Sequence, residues 1–391
     1  MAREIGELKA AVAGTGFIGA VHVEALRRLG VEVVGVCAST PERAEAKGLA
    51  PVYESYESLL ADTRVDVVHV TTPNHLHHVQ VQAALEAGKH VVCEKPLAVT
   101  AVESAELLEL AQRSQLVHCT NFNLRFYPHA HEARALVGSG ALGDVWNVHG
   151  SYLQDWLLFP TDWNWRLEAE KGGALRAVAD IGSHWLDLAE WVTGRRIESV
   201  FADLQTAISV RRRPTAEVET FAAAEAVERV DAPMTTEDIA HLLFRLDGGT
   251  VGAVVLSQVS AGRKNALLLE IDGSTGSLAW NSERPEELWL GHRDRANETL
   301  LRNPGLLEPS AQARTTLPAG HTEGFAETFR ELYRAVYGAV ADGAMPAEAD
   351  FPTFADGHRA NVLGDAIALI VARAANMPGH CGSLSLELAG K

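Results

Sequence analysis

The sequence predicts an α/β domain built on a parallel sheet, followed by an α+β domain with a mainly antiparallel sheet. Three observations predict it. The first 120 or so residues alternate continuous apolar runs with helix-period segments, and a glycine-rich turn joins the first run to the first helix. Beyond about Arg125 the runs alternate apolar with polar residues and are parted by Asp-Gly turns, the pattern of hairpins with one wet face. At 391 residues the chain exceeds the size at which single cores stop growing, roughly 250–300 residues, so two domains are expected, over 1–124 and 125–391.

The elements follow in order. Lys9–Ala13 is a short apolar strand, and Ala20–Leu29 carries apolar residues at helical spacing up to Gly30, a C-terminal stop. Val31–Cys37 is a second strand, with a helix from Pro41 to about Lys47. Val65–Thr71 is a third strand, and His75–Ala87 a helix closed by Gly88 where a left-handed cap needs glycine. His90–Cys93 is a fourth strand, Thr100 to Glu103 has capping-box spacing before a helix to about Gln112, and Leu116–Thr120 is a fifth strand. In the second domain, Tyr127–Val137, Gly182–Thr193, Thr322–Val340 and Asp356–Ala375 read as helices. Strands are expected at Val145–Gln154, Ile197–Ser209, Ile239–Leu246, Thr250–Ser257, Ala266–Ile271, Ser277–Trp280 and Glu287–Leu290. Residues 294–320 read as a loop, and Arg211-Arg212-Arg213 as a solvated loop before Pro214.

Composition excludes several classes. With 47% hydrophobic and 22% charged residues the chain can fill real cores, which rules out global disorder. A net charge of −17 repels phosphate backbones, so no nucleic-acid partner is expected. The four cysteines (Cys37, Cys93, Cys119, Cys381) are far apart, neither a disulfide framework nor a zinc site, as suits a reducing compartment. The N-terminus lacks a signal-peptide layout, and the apolar stretch from Val362 to Met377 is broken by Asp365 and Arg373. No membrane partner is expected, and the location expected is cytoplasmic.

The turn after the first strand is Gly14-Thr15-Gly16-Phe17-Ile18-Gly19. Gly14 permits the tight turn, Gly16 lets backbone approach a pyrophosphate, and Gly19 lets the helix pack on the sheet. The free N–H groups at the helix start, from Phe17 and Ile18 onward, face the anion, so a dinucleotide site is expected here. An acid at the end of the second strand would select NAD by binding its ribose hydroxyls. Here the chain reads Cys37-Ala38-Ser39-Thr40-Pro41-Glu42-Arg43. Ser39 and Thr40 offer donors to a 2′-phosphate and Arg43 a charge, while Glu42 is an acid one turn late. The cofactor expected is NAD or NADP, leaning to NADP or dual use.

Three further segments complete the pattern: Thr71-Thr72-Pro73-Asn74-His75 with His78 after the third strand, Glu94-Lys95-Pro96 after the fourth, and Asp180-Ile181-Gly182-Ser183-His184. With the glycine loop they resemble the glucose–fructose oxidoreductase / inositol dehydrogenase / MocA (Gfo/Idh/MocA) family of sugar and cyclitol dehydrogenases, over essentially the whole chain. The resemblance implies a Rossmann domain plus an open antiparallel sheet through which subunits form homodimers or homotetramers. It implies that Lys95, Asp180 and His184 are the catalytic set, and that Thr72, Pro73, Asn74, His78, Glu94, Lys95 and Pro96 line the cofactor. Asn123 and Arg125 would stand near the substrate.

In that setting His184 fits the base that takes a hydroxyl proton, Asp180 shares its helical face, and Lys95 favours alkoxide character in the substrate. Asp155-Trp156 and Trp165-Arg166 combine an apolar ring face with polar groups, as a sugar ring requires, although the two tryptophans would serve equally for packing. Asp155, Trp156, Trp165, Arg166 and His321 join Lys95, Asn123, Arg125, Asp180 and His184 as candidate substrate contacts. Asp180, His184 and Asp187, or His75, His77 and His78, have metal-ligand residue types, but no metal is expected. The reaction expected is reversible oxidation of a secondary hydroxyl of a sugar, anhydrosugar or cyclitol to a ketone. The alternatives are an NAD-dependent glycosidase that begins with hydride abstraction, a sugar- or dinucleotide-sensing regulator, and a dihydrodiol or pyrrole reductase. The polar, Trp-rich second half argues against the last.

Overall fold

The computed structural model describes residues 3–215, 228–375 and 386–387; Cys381 and Met377 lie outside the described residues. The chain divides into two compact units. The first comprises Met1–Asn123, Glu170–Gly173 and Phe325–Val362, and the second Leu124–Ala169, Ala174–Gly324 and Leu363–Lys391. Residues 325–362, which the sequence groups with the second half, thus return to the first unit. The reason is apolar: the helix Phe325–Asp342 buries Phe329, Leu332, Tyr333, Val336 and Tyr337 and packs on the helix Phe17–Leu29.

In the first unit β1 (Lys9–Ala13), β2 (Glu32–Cys37), β3 (Val67–Val70), β4 (His90–Cys93) and β5 (His118–Thr120) form a parallel sheet in the order β2-β1-β3-β4-β5. All four residues of β3 are buried, because both sheet faces are covered, and such strands read as near-continuous apolar runs, interrupted here by His69. The strand order reverses at β1/β3, where the carboxyl ends of an open α/β sheet leave a crevice for a ligand. The capping box closes as its spacing predicts: Thr100 Oγ1 accepts from Glu103 N at 3.2 Å, and Glu103 Oε2 from Thr100 N at 3.1 Å. The short helix Tyr56–Ala61 escapes a periodicity argument, being under two turns long.

The second unit carries a nine-stranded sheet of β6 (Val145–Leu153), β7 (Ile197–Gln205), β10 (Ile239–Leu246), β11 (Val251–Ser257), β12 (Ala266–Gly273), β13 (Ser277–Asn281), β14 (Glu287–Gly291), β15 (Glu298–Leu301) and β16 (Leu386–Glu387). Its order is β15-β14-β13-β12-β6-β11-β10-β7-β16. Only the β6–β11 pair is parallel among these, so the sheet is mixed but mainly antiparallel. Along β10 alternate residues Ala240, Leu242, Phe244 and Leu246 are buried, and the core they join centres on Trp185 of the helix Ser183–Thr193. Residues 294–320 are not wholly loop: they hold β15 and the helical turns Pro304–Leu306 and Pro309–Gln312, all too short to leave a periodic signature.

The arginine run is a correction. Residues 210–214 form β8 (Val210–Pro214), paired antiparallel with β9 (Arg229–Pro233). A strand turns neighbouring side chains to opposite faces, so Arg211 points inward while Val210 and Arg212 on either side of it are exposed. Arg211 is fully buried, with Nη2 2.7 Å from Asp238 Oδ1 and Nη1 donating to Phe159 O at 3.0 Å. Among the described residues no helix is long and apolar enough to cross a membrane. Arg211→Ala should destabilise the fold by about 3–5 kcal/mol, since it removes one partner of a buried ion pair. Arg212→Ala should cost within about 0.5 kcal/mol, as surface changes usually do; equal shifts of the two urea midpoints would contradict the strand assignment.

Candidate active site

In the first unit the site begins where β1 turns into its helix. Gly14 has φ +107°, and a Cβ there would stand 2.6 Å from the Thr71 carbonyl. The Thr71 hydroxyl reaches the Ala13 and Gly14 carbonyls at 3.0 and 2.9 Å, tying the turn to the end of β3. At Gly19 a Cβ would lie 2.0 Å from the Gly14 carbonyl, so only glycine lets the helix approach. Gly16 differs: a Cβ would meet nothing within 4 Å, and no side chain caps the helix. Open space before a helix start that carries no side-chain cap fits a pyrophosphate. Phe17 beside it is exposed and Ile18 half-buried.

After β2, Thr40 caps the helix Pro41–Lys47, its hydroxyl accepting from Arg43 N at 3.4 Å, and Arg43 Nη1 donates to Ser39 Oγ at 3.0 Å. Glu42 is held below the usual carboxylate range by its own backbone N–H and then by the Thr40 hydroxyl. Ser39, Thr40 and Arg43 are therefore grouped and exposed.

Beyond β3, Thr72 Oγ1 donates to Gln80 Oε1 at 2.6 Å, and buried Asn74 donates to the Gly172 carbonyl at 3.1 Å. Pro73 stands between them, half-buried. His77, buried, lies 2.8 Å from Thr72 O and 2.7 Å from Pro96 O, so it joins the loops after β3 and β4. His78 pairs with Glu106 at 2.9 Å, and His75 is exposed. The sequence weighs His77 only as part of a metal set, because a histidine in a polar helical turn has no signature of burial.

The Glu94-Lys95-Pro96 turn has a cis Lys95–Pro96 peptide and a half-buried Lys95. Glu94 Oε1 accepts from Asn121 Nδ2 at 2.5 Å and from His22 Nε2 at 3.0 Å, while Lys95 N donates to Oε2 at 3.2 Å. His22 Nδ1 lies 2.9 Å from His69 Nδ1, and His69 Nε2 lies 3.0 Å from Tyr337 Oη. The groups form one continuous chain from Tyr337 through His69 and His22 to Glu94, whose carboxylate can only accept, so His22 Nε2 donates to it. Burial, then the neighbouring His22, holds His69 well below its ordinary pKa, as a neutral link requires. Asn123, also buried, donates to Thr328 Oγ1 at 2.8 Å.

In the second unit Asp180 lies in a single π-turn, Val178–Gly182, that opens the helix continuing through Ser183–Thr193. Such turns are uncommon and recur at functional sites. The simple α-helical spacing of Asp180 and His184 is therefore widened by the π-turn, which ends two residues before His184, whose Nδ1 is buried. Asp180 Oδ1 accepts from Arg166 Nε at 3.2 Å and Oδ2 from Gln258 Nε2 at 2.8 Å. The Arg166 guanidinium lies 4.3 Å from the centre of the Trp165 ring, and Trp156 Nε1 donates to Gln154 Oε1 at 2.8 Å, 3.5 Å from Gln258 Nε2. Trp156, Trp165, Arg166 and Asp180 thus belong to one polar and aromatic neighbourhood, with Gln154 and Gln258 as members the sequence did not single out.

Other candidates have structural partners. Arg125 pairs with Asp187, Nε to Oδ2 at 2.8 Å, both buried. Asp155 accepts from Lys264 Nζ at 2.7 Å and Gly262 N at 3.0 Å, which hold it below the usual carboxylate range. His321 is exposed, its carbonyl bonded to Arg302. Among the described residues the group of three close enough to hold a metal is His149, Glu270 and Asp272, not the two sets weighed from the sequence.

Residues 8–122 match the family profile described as "Oxidoreductase family, NAD-binding Rossmann fold", and residues 130–279 the "GFO/IDH/MocA C-terminal domain". The chain belongs to the Gfo/Idh/MocA oxidoreductase family. It is 31% identical over 330 residues to levoglucosan dehydrogenase of Pseudarthrobacter phenanthrenivorans, covering 83% of each chain. Among solved structures, levoglucosan dehydrogenase in complex with NADH and levoglucosan is similar with a TM-score of 0.81 at 29% identity, over 94% of this chain and 97% of that one. An inositol dehydrogenase homolog from Azotobacter vinelandii complexed with NAD+ gives 0.83 at 26% identity, over 97% of both chains. The first unit of this oxidoreductase is therefore an NAD-binding Rossmann fold. Gly16→Ala should leave the melting temperature unchanged, because the backbone and the space accept a methyl, yet weaken NADH binding about 10-fold or more by blocking the close approach. Fluorescence titration with NADH reads this; unchanged affinity would move the pyrophosphate elsewhere.

Proposed function

We propose that this oxidoreductase oxidises a secondary hydroxyl of a sugar, anhydrosugar or cyclitol to the ketone, reversibly. The observation that carries the reading is the setting of Asp180: a carboxylate oriented by two donors, beside an arginine stacked on a tryptophan ring. Ring faces and fixed acceptors suit a polyhydroxylated ring. The guanidinium there, Arg166, is matched by Asp180, which leaves no spare charge beside Asp180 for a sugar acid.

When bound, the nicotinamide supplies the hydride acceptor; the protein orients the substrate and manages the proton. In this reading the imidazole of His184 takes the hydroxyl proton. The ammonium of Lys95 steadies the negative charge growing on the substrate oxygen, and Asp180 accepts from a neighbouring hydroxyl. Thr72, Pro73, Asn74, Glu94 and Pro96, on loops fixed by hydrogen bonds at the carboxyl ends of β3 and β4, line the nicotinamide side, with His78 beside them. Trp156, Trp165 and Arg166 contact the ring.

The dinucleotide choice is read from the end of β2. No acid stands there, and Glu42 is engaged with its own helix start, leaving Ser39, Thr40 and Arg43 exposed together. That group suits a 2′-phosphate without repelling ribose hydroxyls, so both NAD and NADP are used.

The test is reduction of NAD or NADP, followed by the absorbance of the reduced nicotinamide, against neutral sugars, anhydrosugars including levoglucosan, and inositols. Turnover with none of them overturns the reading. On an active substrate His184→Ala should cut kcat at least about 100-fold, the scale of lost general-base catalysis; near-normal turnover would reject the base. Arg43→Ala should raise KM for NADP about 10-fold and leave that for NAD unchanged, as loss of one charge-assisted phosphate contact predicts. Equal effects on both cofactors would remove Arg43 from the phosphate.

A further inference from the structure

Behind Asp180 lies a buried polar framework that the reaction does not use directly. Gln258 is fully buried; its Nε2 donates to Asp180 Oδ2 at 2.8 Å, and its Oε1 accepts from Arg176 Nη1 at 3.1 Å. Because arginine has only donors and Asp180 supplies acceptors, the side-chain amide can stand only one way round. Arg176, 2% exposed, is paired with Asp238, which also receives Arg211 Nη2 at 2.7 Å and Ile208 N at 2.9 Å. Burial pushes the Asp238 carboxyl up, but Arg176, the Ile208 N–H and Arg211 outweigh it and hold it below its ordinary value.

The same segment also fixes the backbone that carries Asp180. Glu237 Oε1 accepts from Arg176 N and Val178 N, each at 2.9 Å, where the π-turn begins. Gln258 N donates to Asp238 O at 3.1 Å, so Glu237, Asp238 and Gln258 form one block. Backbone and side chain of Asp180 are therefore located by neighbouring buried acids, Glu237 and Asp238.

We propose that Gln258 and Arg176 are positioning residues for Asp180. Gln258 transmits the fixed position of Arg176 to the Asp180 carboxylate, leaving it pointed and acceptor-only for a substrate hydroxyl. The inference rests on the role proposed above for Asp180, and it makes the donor on Gln258, not its bulk, the functional feature. Gln258→Glu keeps the size and the bond from Arg176 but loses the donor; Gln258→Met keeps the size and loses both.

Three measurements on the full chain decide it. In crystals of Gln258→Met, which need no substrate, the Asp180 carboxylate should turn from its Arg166-bound orientation; an unmoved carboxylate overturns the proposal whatever the reaction proves to be. With an active polyol, both variants should lower kcat about 10-fold or more, the scale of a lost hydrogen bond to a charged group, with NADH affinity unchanged. In an Asp180→Asn background the same substitutions should lower the residual kcat by less than about 2-fold, because coupled residues are not additive. Full losses in both backgrounds, or wild-type kcat in Gln258→Glu, also overturn it. A wild-type enzyme inactive on every polyol would instead sink the reaction, and the crystal orientation would still judge the positioning role.

Discussion

A carboxylate taken out of water must be supplied with donors, and that constraint shapes both units of this protein. Glu94, Glu237 and Asp238 are each at least nine-tenths buried. Glu94 gathers donors from the helix after the glycine loop, from the residue after β5 and from the next backbone N–H. Any displacement of the turn that carries Lys95 would strand one of them. Asp238 gathers two guanidinium groups and a backbone N–H, and Glu237 the N–H groups at the start of the helix that carries Asp180 and His184. In each unit a candidate catalytic side chain, Lys95 in the first and Asp180 in the second, is held close to a buried acid that cannot move without cost.

The dinucleotide loop works by a different device, backbone proximity. Thr71 and Gly14 meet so closely that a methyl group has no room, and Gly19 allows the helix to lie against the turn. These contacts involve residues whose identity is forced by sterics, and forced identities are what a sequence displays. The glycine spacing, the near-continuous apolar runs of β1 to β5 and the Thr100 capping box were legible for that reason. So was the alternation along β10, since one wet face imposes a period of two.

What was not legible is what depends on distant partners. Arg211 reads as one of three solvated arginines until Asp238, twenty-seven residues on, is seen beneath it. His22 and His69 are separated by forty-seven residues and reveal their link only when the parallel sheet brings them together. Gln258 lies at the end of an ordinary strand, and glutamine is mostly an exposed residue, so composition argues against its burial. The helix Phe325–Asp342 is amphipathic in the sequence, but its apolar face does not say which domain it completes. Family resemblance named the reactive candidates Lys95, Asp180 and His184; it is silent on these supports.

The supports also raise a question of cost. Arg176, Asp238 and Arg211 form a buried ionic triad, and such triads are often no more stabilising than apolar residues of equal volume. Stability is therefore a weak account of their presence. Orientation is a better one. An apolar side chain in place of Arg176 would fill the same space but would leave the Gln258 amide free to stand either way round. Reversed, that amide would set an oxygen against Asp180, where two acceptors repel. The charge on Arg176 removes the reversed state, because its Nη1 can only donate. A chain of groups with a single allowed direction thus orients Asp180, while the chain from Tyr337 through His69 and His22 ends on Glu94, in the turn that carries Lys95. In both units the polar interior positions the candidate groups, while the apolar cores hold the fold.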